Sequence, residues 1–221
     1  MKCSTCAGEM GGDYCQHCGQ YFKPKRVTFK TILEDLFDST FSLERSLLKN
    51  LKVALSQPQL LPTHYWAGYR RYYFSPGRFF TIASLFLLLH YSVSKEFLGL
   101  SITSNIASQL VILISNVLLL SLSSFVLYFP FKKNFFEHLI LSIYNTSVWV
   151  IVFVPISILL DFALDYNRKE QYFFVVLHLC IAYWNARAFE MRVGRRLLLV
   201  LLNLAMIYGM LWFLARQFAA A

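Results

Sequence analysis

The chain holds 5 cysteines, and four of them fall near its start as Cys3-x-x-Cys6 and Cys15-x-x-Cys18, with 8 residues between the two pairs. A Cys-x-x-Cys turn sets two thiolates about one tetrahedral edge apart, and two such turns complete the four-thiolate shell that structural zinc prefers. Four thiolates leave no open coordination position, so a zinc on Cys3, Cys6, Cys15 and Cys18 is expected as a structural cofactor that holds a small ribbon together over residues 1–24. Two disulfides, a redox dithiol or an iron–sulfur cluster are the competing uses of this pattern, and disulfides require an oxidising compartment. His17, inside the second pair, reads as solvated, and Cys180, within an apolar run, reads as a small core residue.

The elements that must position this ribbon are apolar. Of 221 residues, 57% are hydrophobic, 17% aromatic and only 15% charged, against about 25% charged in soluble chains, and the mean hydropathy is +0.50. Residues 1–78 carry 11 of the 21 Lys and Arg and 6 of the 12 Asp and Glu. A polar head and a membrane tail follow, and a disordered chain or a water-soluble enzyme does not fit. A helix needs roughly 17–25 residues to cross the hydrocarbon. Runs at about 77–94, 107–130, 136–160, 171–187 and 197–215 meet this, giving five expected spans in a bundle over 77–221. The first twenty residues are polar, so no leader is expected there.

Orientation follows from Lys and Arg near the span ends. Through Arg78 there are 11, then Lys95; Lys132 and Lys133; Arg168 and Lys169; Arg187, Arg192, Arg195 and Arg196; and Arg216. High and low counts alternate except for a tie at the third and fourth loops. The N-terminus is thus expected in the cytoplasm, with a four-span chain having a re-entrant second and third pair as the alternative.

Residues 25–76 read as amphipathic helices and a basic-aromatic linker. Thr28 is an N-cap candidate, and Ile32, Leu33, Leu36 and Phe37 share one face. A second stripe, Leu43, Leu47, Leu51 and Ala54, lies opposite Arg45, Lys49 and Lys52, and is expected in the headgroup plane in preference to packing on another subunit. Tyr65, Trp66, Arg70, Arg71, Tyr73 and Arg78 then abut the first span, where they are expected to contact anionic lipid headgroups or a partner. Interleaved rings and arginines also serve nucleic acid, but the position beside a span favours lipid. Gly68 suits a positive-φ step, and Pro76 suits the first position of a helix.

Tyr14-Cys15-x-x-Cys18-Gly19-Gln20, Lys25-Arg26-Val27-Thr28-Phe29 and Tyr65-x-x-Gly68-x-Arg70-Arg71-x-Tyr73-x-x-Pro76 resemble a bacterial family of multipass membrane proteins known only as a domain of unknown function. The resemblance covers residues 1–95. It implies zinc ligation by Cys3, Cys6, Cys15 and Cys18 and residence in the bacterial inner membrane, and it implies no activity.

Inside the spans His90, Asn116, Asn145, His178, Asn185 and Asn203 are costly in lipid. Inter-helix hydrogen bonds are the plain reading, and lining of a passage by His90, Asn116, Asn145 and His178 is the sharper one. Glu137-His138 and Asp161, at opposite ends of the third run, read as solvated in preference to a metal or proton site. No Gly-x-Ser-x-Gly, Walker loop or His-Glu-x-x-His occurs, so no catalytic residue is assigned. The expected function is a non-catalytic membrane scaffold or adaptor whose head engages a cytoplasmic protein partner, a second copy or anionic lipid. The alternative is an oligomeric effector, a pore or a lipid or ion conduit, with the ribbon as a regulatory head. Reduced protein made in the cytoplasm should carry about one zinc per chain, and C15S with C18S should lose it; elemental analysis finding none in the parent would refute the ribbon.

Overall fold

Capping chemistry decides where two of the long helices begin. The structure, a computed structural model, describes Cys3, Gly8, Glu9, Cys15 and residues 27–30, 47–68, 73–93, 96–97, 100–101, 106–163 and 171–219. Those residues form α1 (Leu47–Ser56), α2 (Leu60–Trp66), α3 (Pro76–Val93), α4 (Ile106–Leu127), α5 (Phe135–Ala163), α6 (Gln171–Arg187) and α7 (Val193–Ala219). A minimal antiparallel pair, β1 (Glu96–Phe97) and β2 (Leu100–Ser101), follows α3, and a single 3₁₀ turn, Phe129–Phe131, precedes α5. The all-helical class is as expected.

Ser75 caps α3, its Oγ accepting the Arg78 N–H at 3.3 Å, with Pro76 at the first helical position, where its missing N–H is harmless. α5 starts with a reciprocal cap: the Glu137 N–H donates to Asn134 Oδ1 at 2.8 Å, and the Asn134 N–H donates to Glu137 Oε2 at 2.8 Å. This is a capping box with Asn in place of Ser or Thr. Gly68 ends the α2 turn with φ 92°, as its type allows. Pro155 lies inside α5 on an exposed face, and α5 stays helical through it.

Among the described residues three helices are long and apolar enough to cross a membrane: Leu110–Leu127 within α4, Phe135–Leu160 within α5 and Val193–Phe213 within α7. The other two expected spans are shorter or more polar. α3 has 18 residues and carries Arg78 and His90; α6 has 17 and carries His178, Asn185 and Arg187.

Paired contacts give the helix directions. Phe79 meets Tyr144, and His90 meets Ser157, so α3 and α5 run the same way. Ser124 of α4 meets His138 near the start of α5, and Asn145 of α5 meets Asn185 near the end of α6, so α4 and α6 both oppose α5. Ser123 with Asn203 and His178 with Tyr208 set α7 against α4 and α6. The five long helices therefore alternate in direction. α5 is the hub, two-thirds buried over Phe135–Leu160, whereas α7 is only 17% buried over Val193–Phe213. α3, α4 and α6 all pack on α5, α3 also meets α4, and α7 covers α4 and α6.

α1 and α2 pack on the N-terminal end of α5. Of the stripe expected to lie on headgroups, Leu43 lies outside the described residues, as does Arg45 opposite it; Ala54 is buried and Leu47 and Leu51 pack against the core, while Lys49 and Lys52 stay exposed. Asn50, also buried, accepts the Phe74 N–H at 3.0 Å, and the Tyr144 hydroxyl donates to Phe74 O at 2.8 Å. Y144F should lower stability by about 1 kcal/mol and W66A by about 3–5 kcal/mol; thermal melting in detergent checks this, and equal, negligible losses would refute the docking of α2.

Candidate functional site

Two of the four expected zinc thiols, Cys3 and Cys15, are described, and both are buried. The Cys3 N–H donates to Gly8 O at 2.9 Å, closing a short loop across the first pair. Cys6 and Cys18 lie outside the described residues. Among the described residues no three His, Cys, Asp or Glu side chains gather as a metal-holding group.

Tyr65 and Trp66, expected to contact headgroups or a partner, face the interior of the protein. They are 2% and 9% exposed and serve as protein core. Tyr65 meets Tyr144 edge-on at 6.2 Å. The Trp66 indole N–H donates to Glu137 O at 3.1 Å, and Lys133 Nζ sits 4.5 Å over its ring. An amphipathic ring satisfies its polar tip on a helix end as readily as on a headgroup. Tyr73 is half-buried against His64 at 5.7 Å, and the Arg78 guanidinium lies 5.4 Å from the Phe74 ring. Burial lowers the pKa of His64 below its ordinary value, so its ring is neutral at pH 7. Arg70 and Arg71 lie outside the described residues.

The polar residues of the long helices pair between helices. His90 Nε2 and Ser157 Oγ lie 3.0 Å apart across α3 and α5. Asn145 Nδ2 donates to Asn185 Oδ1 at 2.7 Å across α5 and α6. Asn116 and His178, both singled out from the sequence, meet at 2.7 Å across α4 and α6. His178 Nδ1 faces Phe174 O at 3.0 Å, which places the proton on Nδ1 and leaves Nε2 to accept from the Asn116 amide. Asn203 accepts from Ser123 at 3.2 Å. The four candidate lining residues thus sit at three contacts: Ser157 and Asn145 are twelve residues apart on α5, about 18 Å along its axis. Glu137 is a cap and pairs with Lys133 at 3.7 Å. His138 is fully buried, with Nδ1 2.9 Å from Ser124 Oγ.

The end of the bundle that receives α1 and α2 converges on a residue that sequence reading passed over. Phe189, 3% exposed between α6 and α7, is ringed by Tyr128 at 4.6 Å, Phe131 at 5.0 Å, His138 at 5.6 Å and Trp66 at 6.0 Å. It joins α2, the start of α5 and both connections at this end. Asn134 Nδ2 adds the N-terminal segment by donating to Val27 O at 3.0 Å. Lys132, Lys133, Arg187, Arg192, Arg195 and Arg196 all belong to this end. No periodicity could flag a lone Phe in a short connection.

Nothing among protein-family models, curated proteins or solved structures matches this chain.

An inter-helix bond inside lipid is worth about 0.6 kcal/mol on average and about 1.7 at most. N116L and H178L should therefore each destabilise modestly in a detergent melt, and the double variant should lose less than their sum. Strict additivity would show that the two side chains do not interact.

Proposed function

We propose that the chain is a five-span protein of the bacterial cytoplasmic membrane, N-terminus inside, acting as a non-catalytic scaffold or adaptor through its basic end. The observation that carries this reading is the inversion of polarity across the bundle. Large apolar side chains face outward on α3 (Leu85, Leu89), α4 (Val111, Ile114), α6 (Tyr172, Val175) and α7 (Leu201, Trp212), while Ser121, Ser123, Ser124, His138, Asn145, His178, Asn185 and Asn203 are buried. Lipid is the solvent that suits such a surface. α3 and α6 share it, and their alternating directions fit them as spans beside α4, α5 and α7.

The N-terminal orientation is supported by the basic connections gathered at one end, leaving Lys95, Arg168, Lys169 and Arg216 for the other. The zinc head is supported by the burial of Cys3 and Cys15 in a polar, Gly-rich stretch, where a thiolate shell supplies the core that side chains do not. An adaptor is favoured over a conduit because the intramembrane polar groups are used pairwise at different depths. The partner is a cytoplasmic protein or a second copy, and anionic lipid headgroups neutralise the basic end.

A reporter active only outside the cell should work after Arg216 or at Gly99 and fail at Lys133 or Gly194; the reverse pattern would invert the orientation. Vesicles reconstituted with the full chain should retain a trapped dye as long as empty ones do. Protein-dependent leakage would replace the scaffold by the conduit.

A further inference from the structure

The half of α7 away from the basic end carries an open groove. Met206, Gly209, Met210 and Phe213 of α7 and Leu119 of α4 line a recess of about 510 Å³, within the range of about 300–1,000 Å³ found for small-molecule sites. Its depth comes from Gly209: a Cβ built there meets nothing within 4 Å. Glycine inside a helix is unfavourable relative to alanine, and no close approach among the described residues requires this one. The walls offer no polar side chain, so a hydrocarbon is the occupant they suit.

The length of the groove and the residue above it select which hydrocarbon. Ala205, Gly209, Trp212 and Arg216 follow one another at steps of four, three and four, so they share one face of α7, and all are exposed. Met206 to Arg216 is ten residues, about 15 Å along the axis, which is half of a hydrocarbon layer about 30 Å thick. The groove thus runs from the middle of the bilayer towards its surface, and Arg216 stands one turn beyond Phe213, over the mouth. Its guanidinium rests 5.5 Å from the Trp212 ring, a cation–π contact at the headgroup level that Trp favours. Among the described residues no carboxylate pairs with it. The acidic residues of this end, Glu96, Asp161, Asp165 and Glu170, belong to β1, α5 and the connection to α6, not to this face of α7.

A second copy is the rival occupant, because small residues four apart, as at Ala205 and Gly209, let helices approach closely. Charge decides against it. Two copies related by an axis along the membrane normal would meet through the same patch on each, setting Arg216 against Arg216 on the face that carries Ala205 and Gly209. A phosphate meets the same arginine with opposite sign. We propose that the groove between α4 and α7 binds one acyl chain of a phospholipid whose phosphate sits on Arg216. The site rests on the membrane reading above and adds to it a defined lipid position in the leaflet away from the basic end.

The test melts the full chain in neutral detergent with dioleoyl phosphatidylglycerol, with dioleoylglycerol, which has the same chains and no phosphate, or with glycerophosphoglycerol, the headgroup alone. The phospholipid should raise the midpoint most, dioleoylglycerol less and the headgroup not at all, and native mass spectrometry should find the phospholipid retained. G209L fills the groove from an open position and should weaken both lipids roughly tenfold, the equivalent of about two buried methylenes; G209A is the milder version should Leu cost the fold. R216Q should leave dioleoylglycerol as it was and weaken phosphatidylglycerol about fivefold, the equivalent of about 1 kcal/mol for one arginine near a lipid surface. A205L, on the same face but outside the groove, should bind as the parent does. Parent-like binding by G209L reduces Arg216 to a surface anchor and overturns the groove, and parent-like binding by R216Q overturns the phosphate contact. A dimer that A205L and G209L both dissociate replaces the lipid by a second copy. Extraction with alkaline carbonate is scored separately: a chain that leaves the membrane overturns the membrane reading, whereas one that stays and fails these tests loses the site alone.

Discussion

The reciprocal cap between Asn134 and Glu137 is the interaction on which the rest of the structure leans. It closes the N-terminus of α5, the helix that every other long helix touches directly or through one neighbour. The same two residues then reach outward. Asn134 donates from its side-chain amide to Val27 O, and the Glu137 carbonyl accepts the Trp66 indole N–H. A helix start ordinarily has four N–H groups to satisfy, and here their satisfaction is coupled to the docking of two N-terminal segments. Lys133 joins the same locality, paired with Glu137 and placed over Trp66.

Away from that end the bundle is governed by a different balance. In lipid, apolar burial supplies no drive for helices to associate, so packing and inter-helix hydrogen bonds must. α4 answers with small residues, burying Ser121, Ser123 and Ser124, which let neighbours approach closely. The Ser121 hydroxyl turns back to Val117 O at 2.6 Å, so it is satisfied within its own helix. Aromatic contacts fill the wider gaps, as with Trp149 against Trp184 at 4.5 Å between α5 and α6. α7, mostly uncovered, is held by the Ser123–Asn203 and His178–Tyr208 contacts and by the Val200 and Ile207 side chains, both buried.

Hydropathy located the long helices well, because an uninterrupted apolar run leaves few other outcomes. The fourth run, 171–187, coincides with α6, and Pro76 does open α3. Errors at the ends have physical causes. Pro130 closes the apolar run at 107–130, but it lacks an N–H and biases the preceding residue away from the helix, so α4 stops at Leu127 and a 3₁₀ turn follows. α7 starts at Val193, four residues before the apolar run, because Arg195 and Arg196 mark the edge of the apolar stretch without ending the helix. The burial of Tyr65 and Trp66 is not legible in the sequence, because ring-plus-polar-tip side chains look the same on paper whether they face lipid or a neighbouring helix. The inter-helix partners of Asn145, Asn116 and His90 had no signature at all, since a single sequence carries no record of which residues meet.

The parallel packing of α3 on α5 also orders events in time. His90 and its partner Ser157 are 67 residues apart in the chain, with all of α4 made between them. At about 5–20 residues per second of synthesis, α3 emerges about 3–13 s before the surface it packs against exists. During that interval an 18-residue helix with an arginine near one end and a histidine near the other must be sheltered by something else. Its final packing is therefore an event of late assembly, completed only after the hub helix arrives.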